Sequence, residues 1–117
     1  MGLLASEPEL DSLEKAVRRV ARSLSSGSGE GTWRREALAE VYSLNQIIGR
    51  MARESPGLST VLREMQLDVN AVTVQAKHGE RESAVASLRR VEGSLERVVA
   101  RAALTSGDKA SNRRRDL

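Results

Sequence analysis

The stretch LDVNAVTV (residues 67–74) decides the fold. Its β-branched residues suit a strand. The apolar positions that run through it obey a different period. Leu58, Leu62, Met65, Val69, Val72 and Ala76 step by three and four residues without a break, the spacing of one helical face. The stretch is therefore read as helix.

Three more stripes carry the same spacing. Leu10, Leu13, Val17, Val20 and Leu24 form the first; Ala37, Val41, Leu44, Ile48 and Met51 the second; Leu88, Val91, Leu95, Val98 and Ala102 the last. A one-faced apolar stripe must be buried against another, and four in succession predict an all-α chain.

The punctuation fits that reading. Ser6 and Glu9 are spaced as a capping box, and Glu7, Glu9 and Asp11 suit a helix N-terminus. The run SSGSGEGT (residues 25–32) reads as a flexible Gly/Ser link, with Thr32 placed to cap the second helix. Pro56 suits the first turn of the third helix, Gly79 its end, and Gly107 the end of the fourth. The expected helices cover roughly residues 6–25, 32–54, 57–78 and 80–106. Short links between the last three force antiparallel neighbours. The expected architecture is an up-down-up-down four-helix bundle over residues 1–106, followed by a disordered basic C-terminal tail over residues 107–117. The longer first link would let helix one pack in its own bundle or swap into another.

Composition narrows the chemistry. The only aromatic residues are Trp33 and Tyr42, so the core must be aliphatic. With no cysteine, disulfides, thiolate metal sites and a cysteine nucleophile are excluded. No apolar run approaches a membrane span, and MGLLA is too short for a secretory signal; a cytoplasmic location is expected. MGLLAS fits the loose myristoylation pattern through Gly2 and Ser6, against the simpler reading that Leu3 and Leu4 pack on the first helix.

Catalytic constellations are missing. The single histidine, His78, falls at the predicted end of helix three, with Gln75 three residues before it, so a carboxylate-bridged di-iron design fails on ligand count. The pairs Glu36 with Glu40, Glu64 with Asp68, and Glu92 with Glu96 are spaced to hold Mg²⁺. Each falls outside its apolar stripe and reads as solvated surface. No glycine loop is built to cradle phosphate. No catalytic residue, cofactor, metal or small-molecule substrate is expected.

Two surfaces remain as candidates. On helix two, Leu38 and Ile47 widen the apolar side, Tyr42, Asn45 and Gly49 lie in line, and Gly49 offers room for another backbone. Asn45 has the character of a register-fixing amide. These five residues are the expected self-association or partner interface. The second candidate is basic: the chain has 19 Lys and Arg against 16 Asp and Glu, a net charge of +3. Antiparallel topology should gather Arg50, Arg53, Arg97 and Arg101 at one pole, with Arg113, Arg114 and Arg115 beside them. Arg18, Arg19, Arg22, Arg34, Arg35, Lys77 and Arg81 should gather at the other. Such poles suit phosphate contact, whereas two aromatic residues make no base-stacking platform. The expected function is a non-catalytic helical protein–protein interaction module, a small subunit or adaptor that self-associates or joins a larger assembly. The alternative is a nucleic-acid backbone reader within a ribonucleoprotein or DNA complex.

Overall fold

In the computed structural model, which describes residues 7–25 and 30–116 and the side chains within 8–25 and 32–103, the periodic segments are all helical. They are α1 (Glu7–Ser25), α2 (Glu30–Glu54), α3 (Ser59–Lys77) and α4 (Arg81–Asp116). A single 3-10 turn, Pro56–Leu58, joins α2 to α3. No strand occurs among the described residues. α1 packs on α2, α2 on α3, α3 on α4, and α4 returns to α1, while the described backbones of the diagonal pairs stay farther apart. This is the antiparallel four-helix bundle that the stripes predict.

The core is the sum of those stripes. Every stripe residue is buried except Leu10 and Leu95, which are half-buried against it. Ala16, Trp33 and Ala84 complete it. Burying each large aliphatic side chain contributes about 1.5–3 kcal/mol, so this seam supplies the main favourable term. Two fully buried polar side chains were not legible as core: Ser87 and Ser94 on α4. Their hydroxyls are satisfied locally. The Gln75 amide donates to the Ser83 carbonyl at 2.8 Å and to Ser87 Oγ at 2.7 Å, and Arg97 Nη2 donates to Ser94 Oγ at 3.0 Å. Small side chains at these positions let α3 and α4 form the most extensive helix contact of the bundle.

The links explain the topology. Gly79 has φ +74, a region that glycine enters without a Cβ penalty. The Gly79 N–H donates to the Ala76 carbonyl at 3.0 Å, and the Glu80 N–H to that of Gln75 at 2.8 Å. These are the two bonds of a Schellman stop. Ala84 N–H then donates to the Glu80 carbonyl, so α4 starts within two residues of that stop. Pro56 occupies the first position of the 3-10 turn, where its missing N–H costs nothing.

Two boundaries differ from the sequence reading. α2 begins at Glu30, so Thr32 is inside the first turn and is not its cap. α4 continues past Gly107 to Asp116. One glycine costs a helix about 1 kcal/mol relative to alanine, too little to stop it without capping bonds like those at Gly79. The side chains of residues 104–117 lie outside the described residues. So do Gly2, Leu3, Leu4 and Ser6, and the link residues 26–29.

Candidate interaction surface on helices α2 and α3

The five helix-two candidates do not form one patch. Leu38 and Ile47 are half-buried against the core. They are nine residues apart, which at about 100° per residue puts them on opposite flanks of α2. Ile47 therefore belongs to the α1 side. Tyr42, Asn45 and Gly49 do come together, in a groove they line with Gln46, Arg53, Gln66 and Asn70.

The groove sets the register of α2 against α3. Asn45 Nδ2 donates to Asn70 Oδ1 at 3.3 Å. A Cβ at Gly49 would stand 3.7 Å from Gln66 Nε2 and 3.8 Å from Arg53 Nη1. Both are ordinary contact distances, so no backbone approaches Gly49 within the bundle. In this antiparallel register Tyr42 lies level with Thr73 and Val74. Asn45 Oδ1 is shut off from solvent and has no donor.

Sequence reasoning missed two residues here. Among the described residues, the large hydrophobic side chains that stay exposed are Tyr42 at 68%, Leu67 at 71% and Val74 at 52%. All three are on α2 and α3. Leu67 and Val74 are seven residues apart, about two turns, and so share the outward stripe of α3. Their positions off the buried 3-4 stripe were the available signal.

Charge is sorted across the surface. Glu40 Oε2 accepts from Arg19 of α1 at 2.8 Å, and Glu36 lies beside it in the α1–α2 groove. Glu54 is eighteen residues from Glu36, about five whole turns, on the same flank. On α3, Asp68 pairs with Arg90 at 3.3 Å and Glu64 with Arg97 at 3.7 Å, both across to α4. The described carboxylates of α2 and α3 thus turn away from the groove they share.

The expected arginine poles are largely committed to the fold or divided. At the end where α4 begins, Arg34 donates to the Ala76 carbonyl at 3.2 Å and to that of Lys77, closing the end of α3. Arg81 Nε donates to the Leu24 carbonyl at 2.6 Å at the end of α1. Its guanidinium lies 5.6 Å from the centroid of the buried Trp33 ring. At the other end, Arg97 is held by Glu64 and Ser94. Arg50 and Arg53 are exposed on α2, while Arg97 and Arg101 are exposed on α4, the helix diagonal to it. Arg113, Arg114 and Arg115 lie outside the described side chains.

Features with catalytic potential are dispersed. His78 is exposed at the end of α3. No three metal-ligating side chains gather among the described residues, and no described helix is long and apolar enough to cross a membrane. The acidic pairs on α2 and α3 contribute Glu40, Glu64 and Asp68 to ion pairs with arginines. No known family model, curated protein or solved structure matches the chain.

Proposed function

We propose that the chain is a non-catalytic helical protein–protein interaction module, a small subunit or adaptor that joins a larger assembly through the outer face of α2 and α3. The observation that carries this reading is the concentration of the large exposed hydrophobics Tyr42, Leu67 and Val74 on that one face. Single exposed apolar residues are ordinary, but several on neighbouring helices beside a polar groove suit a partner site. The amide groove of Asn45, Gln66 and Asn70 supplies hydrogen-bonding groups between them.

Nucleic-acid backbone binding has less support. Arg34, Arg81 and Arg97 are engaged within the bundle, and one exposed tyrosine offers little stacking. Light scattering on the chain, isolated from its own cells without denaturation and treated with nuclease, tests the interaction reading. A mass above that of one chain, with a protein present in fixed ratio, is expected. A strict monomer that carries no protein overturns it.

A further inference from the structure

The α2–α3 groove is lined by amides, with Tyr42 on its α2 wall; Leu67 and Val74 stand exposed on the outward stripe of α3 beside it, and cations stand at the corners of the face. Arg63, Asn70 and Lys77 recur at seven-residue intervals on α3, as do Arg35, Tyr42 and Gly49 on α2, so each trio keeps to one stripe. The antiparallel register set by Asn45 with Asn70 brings Arg53 to the end of the face that holds Arg63. It brings Arg35 to the end that holds Lys77. None of these four side chains has an ion-pair partner among the described residues. Lys15, Arg18, Arg19, Arg90 and Arg97 are paired, while Arg22, Arg50 and Arg89 elsewhere share the lack of an ion-pair partner among the described residues with these four. The described carboxylates that could have paired with them are turned to the α1 and α4 sides.

We infer that this face holds an acidic amphipathic α-helix of a different protein, laid over the α2–α3 groove on Tyr42 and the outward stripe of α3. The inference rests on the interaction-module reading and names the partner's chemistry. Three physical points select the occupant. The unpaired cations at both ends call for carboxylates and oppose a second copy of the same face, which would meet like charge with like. Leu67 and Val74 are aliphatic and exposed, so they gain from an apolar helix face and little from nucleobases, which stack on aromatic rings. Gly49 lies in the groove although the fold leaves room for a methyl group there, as suits a groove that must stay open. Arg63 and Lys77 are separated by about 21 Å along α3. A partner helix of about 14–18 residues spans that distance. Apolar side chains at i, i+3 or i+4, and i+7 would meet Tyr42, Leu67 and Val74, with Asp or Glu flanking them at both ends.

Site-specific photo-crosslinking of the full chain in its own cells tests this. p-Benzoylphenylalanine is placed at Leu67, and at the exposed Arg89 on α4 as control; the adducts are sequenced by mass spectrometry. The expected product joins position 67 to a segment of another protein with acidic excess and helical apolar spacing. The double reversal R53E/R63E should lower its yield about tenfold while the helical circular dichroism stays unchanged. A protein segment without acidic excess, or a yield insensitive to R53E/R63E, overturns the acidic-helix inference and leaves the interaction module standing. Adducts to nucleic acid or to this chain's own peptides, or none above the Arg89 control, overturn the inference and the docking face together.

Discussion

Asn45 donates to Asn70 Oδ1 across the α2–α3 seam at 3.3 Å, while its own Oδ1 is sealed from water without a donor. An unsatisfied buried acceptor costs about 1–3 kcal/mol. The pair therefore fixes the α2–α3 register at the expense of stability, as polar residues do in coiled-coil seams. Asn45→Leu removes the orphaned oxygen and leaves the exposed Asn70 to water. It should raise the unfolding free energy by about 1 kcal/mol, measured by urea denaturation. A loss of stability would mean that the amide is satisfied in solution.

Arg81 ties the start of α4 to the end of α1 through the Leu24 carbonyl and the Trp33 ring. Arg81→Ala should cost about 1–3 kcal/mol. Arg81→Lys should recover only part of that, because an ammonium cannot reproduce the planar contact of a guanidinium. Equal stability of the lysine variant and the wild-type chain in chemical denaturation would refute this role.

Glycines separate cleanly by backbone and space. Gly79→Ala forces a side chain into the left-handed region and should destabilise by about 1–2 kcal/mol. Gly93 is inside α4 with open space where a Cβ would stand. Gly93→Ala should stabilise by about 0.5–1 kcal/mol. Thermal melts of the two variants should move in opposite directions.

Gly49 divides fold from function. Nothing within the bundle crowds its missing Cβ, so Gly49→Ala should stabilise the free chain by about 0.5–1 kcal/mol. If the groove is occupied by a partner helix, the same change should weaken that complex. A variant that gains stability and keeps full binding would show that this part of the groove is unoccupied.

The bundle was legible because four buried stripes obey one period, and a helix with an apolar face must bury it against another element. The ambiguity of LDVNAVTV has a structural cause. Val69 and Val72 belong to the buried stripe, while Leu67 and Val74 form a second, outward stripe. Two interleaved apolar faces raise the β-branched content without any strand being present. The 3-4 rule identified the first stripe and left the second unexamined. The interface candidates from α2 alone are divided by the fold for a related reason. Tyr42, Asn45 and Gly49 share a groove, but Ile47 falls on the opposite flank, and the other wall of the groove comes from α3. Of the residues expected at the arginine poles, Arg34, Arg81 and Arg97 are engaged within the bundle, while Arg35, Arg50, Arg53 and Lys77 stay exposed. That Arg34 and Arg81 would close the ends of other helices depends on contacts 42 and 57 residues apart in sequence, which no local pattern encodes.

The central claim is that the outer α2–α3 face is where another protein binds. It is tested most directly by comparing the wild-type chain with Y42S/L67S/V74S in nuclease-treated affinity capture, with partner recovery measured by quantitative mass spectrometry. The three side chains are exposed, so the melting temperature should stay within a few degrees of wild type. Recovery of the partner should fall at least about tenfold, the scale expected when central apolar contacts of an interface are removed. Undiminished recovery by the triple variant would contradict the account.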